Sequence, residues 1–428
     1  MEQIEIKDSA ITSPETRKIV REGESFLSLK RRSETAGFPE NFAKYAKSKG
    51  DVYFWPQGGF HVVTTAALAK TVMTSPDFSA DRARFFISRM PNIDLRIIKD
   101  FFGVVGKMMV MSDDKEHTIR RNVASAGLNE KLLDFYEPMI QRTVEKLLTR
   151  LEDQGSIEFV EGIARQLPQS VLADLFCIPD EDRTLFNRSS GIMTGFFGGA
   201  VEYTNEVGAQ VNESAITIRD YFFKLLEERR KNPKNDFFSG MLAMQKGLNL
   251  ADDELVSQAI MMLVAGQVTT TDQICNNLYL MLQTPGVYQK LVENPSLLPT
   301  AIEEFKRLDP AVTFLFRLAR KPVMLGDQPV EPGDTIFISN HAICRDPEEF
   351  PNPEEMILDR KANRHFAYGH GPHYCMGARL GRMQMNILFK GMTERFPKLV
   401  LDPSKPAIRD HYSLAFSGFK TMHILAKG

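Results

Sequence analysis

From Ile140 the apolar positions recur at Ile140, Val144, Leu147, Leu148 and Leu151, the 3.6-residue repeat of a helix with one buried face. The same period returns near 214–230, 252–284, 297–308 and 377–395. Two β-rich runs, VYFW and FHVVTT, bracket PQGG, so a hairpin turning at Gly58-Gly59 is expected. A second hairpin is expected over 321–340, where VMLGDQPVEPGDTIFIS sets Gly and Pro between apolar runs. The stretch to about residue 45 is polar, with a helical second half. Segments 83–111 and 188–208 mix Phe, Met or Gly without a clear period. They read as loops that either fill the core or, taken whole, form a mobile lid over an apolar ligand. The pattern predicts a mainly α protein with small β-sheets. It reads as one domain over 1–428 with a polar N-terminal tail of about 20 residues.

Composition narrows the function. The chain has 428 residues, 43% apolar and 25% charged, which is ordinary for a globular protein. A net charge of −2 gives no reason to expect nucleic acid. The opening MEQIEIKDSAITSPETRK lacks an apolar signal region, and no run reaches the roughly 18 apolar residues of a membrane span. Cys177, Cys275, Cys344 and Cys375 are far apart, which fits a reduced cytoplasmic compartment rather than a disulfide framework.

One short stretch concentrates the chemistry: FAYGHGPHYCMGARLGR, from Phe366 to Arg382. Zinc needs three or four close ligands, and this stretch has one cysteine. A nucleophilic cysteine needs a base, and His373 two residues away in sequence is poor grounds for one. A buried structural cysteine leaves Gly369, Gly371 and Gly377 unexplained. An axial thiolate to haem iron explains more. The backbone must pass close beneath a flat macrocycle, which glycine permits. A helix starting just after Cys375 aims N–H groups at the sulfur and favours its anion.

Tyr368-Gly369-His370-Gly371-Pro372-His373-Tyr374-Cys375-Met376-Gly377 resembles the haem-binding loop of the cytochrome P450 family. The resemblance implies the fold of that family, with haem b between a long central helix and the cysteine loop. It implies Cys375 as iron ligand and His373 as a propionate contact. Family members usually carry Phe seven residues before the cysteine, where this chain has Tyr368. The resemblance extends to Glu304 and Arg307, spaced as the family's Glu-x-x-Arg, which supports the haem side through a buried network. The third member of that network stays open, because Pro353-Glu354-Glu355-Met356 stands where the family often has Pro-x-Arg-Phe; Arg360 is a candidate. His117 and Arg121, at i,i+4 in KEHTIRR, and Arg317 in FLFRLAR match the family's propionate contacts.

The segment DDELVSQAIMMLVAGQVTTTDQICNNLYLML would make a helix about 45 Å long. Its middle, Ala265-Gly266-Gln267-Val268-Thr269-Thr270-Thr271, is poor helix-forming sequence in an apolar helix. It is similar to the family's oxygen-binding groove. There Ala265 and Gly266 would leave room over the macrocycle, and Thr269 would hold a proton-delivering water. The family's acid before the threonine is Val268 here. Asp272 four residues on, Gln267 or the substrate itself would then complete proton delivery. Substrate would be lined by Met261 and Met262 or their neighbours, by Val312 to Phe316 including Phe314, and by Leu414 to Phe416.

The resemblance implies a haem-thiolate monooxygenase that hydroxylates or epoxidises an apolar small molecule, a secondary metabolite such as a polyketide, offered free or on a carrier protein. No flavin or nicotinamide fingerprint is present, so NAD(P)H electrons would come through a ferredoxin or flavodoxin with its reductase. Arg120, Lys361, Arg364, Arg379 and Arg382 are candidates for its docking face. A monomer is expected. Two other readings stand beside this one: a peroxide-using or rearranging haem-thiolate enzyme marked by Val268, and a non-catalytic haem sensor or scaffold.

Overall fold

The computed structural model describes residues 39–55, 59–88, 90, 92–198, 202–248, 250–410 and 415–427. The N-terminal tail, Gly58 and Leu414 lie outside them. Helices occupy most of the chain. They are α1 (Glu40–Ser48), α2 (Ala66–Thr74), α3 (Ala83–Ser88), α4 (Lys99–Val105), α5 (Asp114–Ala126), α6 (Glu130–Gln154), α7 (Gln166–Leu175) and α8 (Asp180–Phe197). They continue as α9 (Asn205–Lys231), α10 (Phe237–Gln245), α11 (Asp252–Gln283), α12 (Val287–Glu293), α13 (Leu298–Leu308), α14 (Asn340–Ile343) and α15 (Ala378–Arg395).

The helices start and stop where local chemistry says they should. In α6, Asn129 caps the N-terminus by accepting from the Leu132 N–H at 3.1 Å, and Gly155 ends it at φ +68°. Its predicted stripe, Ile140 to Leu151, is buried. Helix α11 opens with Asp252, Asp253 and Glu254 against the positive end of its dipole. It runs 32 residues through the middle of the molecule and packs on α7, α8, α9, α13 and a late sheet.

The first hairpin pairs β1 (Val52–Trp55) with β2 (Phe60–Val63), Trp55 opposite Phe60. These strands join β3 (Phe78–Ser79), β5 (Phe314–Ala319) and β8 (Thr335–Ser339) in a five-stranded sheet ordered β1-β2-β8-β5-β3. The second expected hairpin resolves into two parts. A tight pair, β6 (Val323–Leu325) and β7 (Gln328–Val330), turns at Gly326-Asp327, and β8 leaves it for the main sheet. Strand β8 is buried along its whole length because it is flanked by β2 and β5. Two small sheets close the fold: β4 (Ser156–Glu158), β12 (His423–Leu425) and β9 (Val400–Leu401), and β10 (Ile408–Asp410) with β11 (Gly418–Thr421).

Segments 83–111 and 188–208 differ from the expectation of loops. Residues 83–88, 99–105 and 188–197 are helical, and Phe86, Phe101, Val105, Met193 and Phe196 are buried in the main core around α11. Helical periodicity was hidden because the helices within 83–105 are short and rich in apolar residues, while the buried face of α8 carries Ser189, Ser190 and Thr194 among its apolar positions.

Candidate functional site

The cysteine loop is built by its own backbone. The Gly369 N–H donates to the Phe366 carbonyl at 2.7 Å, and the Cys375 N–H to the Tyr368 carbonyl at 2.9 Å. Gly371 sits at φ +70°, and a Cβ there would lie 2.7 Å from Thr74 Cγ2, so the loop presses onto α2 in a way only glycine allows. Cys375 itself is exposed, and a Cβ on neighbouring Gly377 would meet nothing within 4 Å. The loop thus lays a bare sulfur and a bare backbone against open space, while Phe366 and Ala378 on either side are buried. Burial by the wider protein pushes the Cys375 thiol up; the Gly377 N–H, Arg121, Arg382 and Lys306 pull it down. The sulfur touches open space yet has dense protein behind it, so exposure and desolvation describe its two sides.

Two residues before Cys375, His373 lies against His117 of α5, the rings tilted by 36° with centroids 3.9 Å apart. Arg317 on β5 faces the same place, as does Arg82, which the sequence reading missed. Burial, then the Arg317 charge, lowers Arg82 to about 9, and burial lowers Arg317 to about 10. The nearby Asp113 is already engaged by Arg320 at 2.7 Å. Burial, then Arg317, His117 and Arg82, press His373 down to about 2. His117 is buried, and its Nε2 has no hydrogen-bond partner among the described residues. A cavity of about 270 Å³ opens at His117, Arg317 and His373. Buried cations with an orphaned imidazole nitrogen fit a group that brings carboxylates, and the bare Cys375 beside them fits one that takes a thiolate.

Alternation along β5 corrects two substrate candidates. Phe314 and Phe316 point to the face opposite Arg317. Phe314 is buried against Phe42 and Phe337, and Phe316 stacks on Phe337 with Arg82 over its ring. Leu315 shares the face of Arg317 instead, and a Cβ on Gly369 would come within 3.6 Å of Leu315 Cδ1. Val312 and Phe416, both half-buried, are joined by an antiparallel bridge.

In the middle of α11, Ala265 is exposed although Met261 to Val264 and Gln267 are buried. Val268 and Thr269 are half-buried. The helix therefore opens one narrow face at its centre. Thr269 Oγ1 donates to the Ala265 carbonyl at 2.6 Å, the back-bonding expected of it. Three expectations are corrected here. Gly266 turns away, where a Cβ would lie 3.1 Å from Leu172 Cδ1, so it serves the approach of α7 rather than room in the groove. Gln267 accepts from Ser190 Oγ at 2.7 Å and reaches Asn187, so its amide is spent on α8. Asp272 lies against β11, where a Cβ on Gly418 would fall 2.2 Å from its Oδ1. Met261 and Met262 belong to the main core.

Beneath the loop lie two charge networks. Arg307 holds Glu304 at 2.8 Å through both Nε and Nη2, and Arg360 Nε lies 3.0 Å from each Glu304 oxygen. Asn363 and the Ile357 N–H complete the carboxylate at 3.0 Å each. Arg360 thus fills the open third place. Glu303 carries the second network, with Lys306 Nζ at 2.6 Å, Arg382 Nη2 at 2.6 Å and His365 Nε2 at 3.2 Å. This one was missed, since EEFKR reads as a solvated i,i+3 pattern. The expected basic docking face is reduced: Arg120 is buried on Glu254, Arg382 is committed to Glu303, and Arg379 pairs with Glu130 at 3.1 Å. Lys361 and Arg364 are exposed. No helix of the described residues is long and apolar enough to cross a membrane.

The family model "Cytochrome P450" matches residues 185–418. The mycinamicin IV hydroxylase/epoxidase of Micromonospora griseorubida is 30% identical over 72% of this chain and 76% of its own. The polyketide biosynthesis cytochrome P450 PksS of Bacillus subtilis is 28% identical over 79% of this chain and 82% of its own. CYP109E1 from Bacillus megaterium, solved with corticosterone, superposes at a TM-score of 0.80 with 26% identity, covering 91% of this chain and 99% of that one. With the loop, the central helix and the fold agreeing, this chain belongs to the cytochrome P450 family, the haem-thiolate monooxygenases.

Proposed function

We propose that this chain binds haem b through Cys375 and, fed electrons by a ferredoxin or flavodoxin with its reductase, hydroxylates or epoxidises an apolar secondary metabolite. The observation that carries this is the His373–Cys375 turn. It sets a bare sulfur two residues from an imidazole that lies against His117 in a pocket of buried cations. The haem, when bound, activates dioxygen so that one oxygen atom enters the substrate.

The chain supplies position and charge. Arg121 and Arg317, with Arg82, neutralise two propionates that would otherwise be buried unpaired, and the uncharged imidazoles of His117 and His373 offer them N–H donors. Ala265 leaves the groove clear. Thr269 Oγ1, released from the Ala265 carbonyl, holds a water in the groove and hands on its proton. With Val268 apolar, Gln267 spent on α8 and Asp272 against β11, the substrate is the remaining candidate to complete proton delivery. Val312, Leu315 and Phe416 offer apolar surface to it. Relatives named for polyketide biosynthesis and for hydroxylation or epoxidation of mycinamicin IV support a polyketide-like substrate.

Titration of the ferric holoenzyme with apolar polyketide and steroid panels, read by the iron spin-state change, tests the substrate class. Coupled turnover with a ferredoxin and reductase should consume NAD(P)H and O2 one to one with product. Turnover with peroxide alone, and none with reductant, would favour the peroxide-using reading, which Val268 supports.

A further inference from the structure

Lys306 is fully buried, in the place between the Glu304 and Arg307 of the structural network. Its ammonium bonds to Glu303 and stands 4.9 Å from the centroid of the Tyr368 ring. Arg382 binds the same carboxylate and stands 4.7 Å from the same centroid. Tyr368 in turn accepts the Cys375 N–H on its carbonyl. A buried lysine needs a full counter-charge. Here one carboxylate answers two cations. His365, the remaining partner of Glu303, is held neutral by burial. Burial draws Lys306 down to about 8 against the pull of Glu303, which leaves it charged at neutral pH. The cluster therefore carries one net positive charge directly behind the cysteine loop, over the ring of the residue whose carbonyl takes the Cys375 N–H.

Resting on the reading of Cys375 as iron ligand, we propose that Lys306 is a positioning residue for that sulfur. Its unbalanced ammonium, set over the Tyr368 ring and shared with Glu303, raises the electron affinity of the bound iron. Reduction adds one electron from the donor, makes and breaks no bond, and lowers the charge of the site by one. A fixed positive charge nearby favours that change.

The test is an anaerobic dithionite titration of the holoenzyme at pH 7, with the carbon monoxide spectrum of each variant. Lys306→Met should shift the ferric–ferrous equilibrium about tenfold toward ferric, roughly 59 mV for one electron, while keeping the thiolate band of the parent. Lys306→Arg should restore the parent value to within about threefold. Glu303→Gln, which leaves both cations unanswered, should shift the equilibrium the opposite way. Opposite signs for the two variants are beyond what a merely structural role can produce. Equal potentials, or shifts of one sign, would overturn the proposal. If Lys306→Met fails to retain haem, Glu303→Gln decides alone: a shift toward ferrous upholds the proposal, and no shift or the reverse overturns it. A parent spectrum without the thiolate band would instead remove the ligation on which the proposal stands.

Discussion

Arg360 donates its Nε to both oxygens of Glu304, 3.0 Å from each, while Arg307 holds the same two oxygens at 2.8 Å. All three side chains are buried. The arginines also bond the carbonyls of Pro351, Pro353 and Glu355, which ties the chain between α14 and the cysteine loop to α13. Arg360→Ala leaves a buried carboxylate short of a partner and those carbonyls unmet. It should cost about 3–5 kcal/mol in urea unfolding. A loss under about 1 kcal/mol would mean that Arg307 alone suffices.

Acid should attack this region first. Burial raises the Glu303 carboxyl, but hydrogen bonds from His365 and Arg382 and the Lys306 charge outweigh it and hold it far below the usual range. Glu304 moves the same way: burial raises it, and Arg307, the Ile357 N–H and Arg360 overcome that. A depressed folded value means the unfolded state binds more protons. The contribution is therefore complete above about pH 4.3 and is lost as pH falls below it. Unfolding midpoints measured from pH 6 to about pH 3 should fall more steeply for the parent than for Glu303→Gln. Equal slopes would show that Glu303 does not carry the acid response.

Gly266 tests which way the groove faces. Gly266→Val puts methyl groups onto Leu172 and should cost about 1–3 kcal/mol by overpacking, with haem content per folded protein unchanged. Leu172→Ala in the same chain should recover part of that cost. If Gly266→Val folds normally but excludes haem, Gly266 lines the cofactor site after all.

Much of this was legible in the sequence, and what was not has identifiable causes. The 3.6 repeat of Ile140 to Leu151 marked α6, and Trp55 to Phe60 marked a hairpin, because both patterns are local. The cysteine loop was legible because seventeen residues carry one geometry. Groove orientation was not. Neighbouring residues on a helix point about 100° apart, so Ala265 opens to space while Gly266 meets Leu172 and Gln267 meets Ser190. Phe314, Leu315 and Phe316 divide between two faces for the strand version of the same reason. Arg82 and Lys306 left no signal, because their roles come from partners far off in sequence: Arg317, Tyr368 and Arg382.

Thr269 Oγ1 is bonded to the Ala265 carbonyl, so its role in turnover requires it to re-aim. Thr269→Ala should leave folding and haem content near the parent. It should raise hydrogen peroxide released per NAD(P)H consumed by about tenfold. Unchanged coupling would remove Thr269 from proton delivery.

The central claim is the bond from Cys375 to haem iron. The most direct measurement is the reduced spectrum with carbon monoxide, taken on the parent and on Cys375→Ser. The parent should show the long-wavelength band of thiolate ligation, and Cys375→Ser should lack it while keeping the fold. A parent whose haem complex shows the band of nitrogen ligation, or a Cys375→Ser protein that retains the thiolate band, would contradict the account.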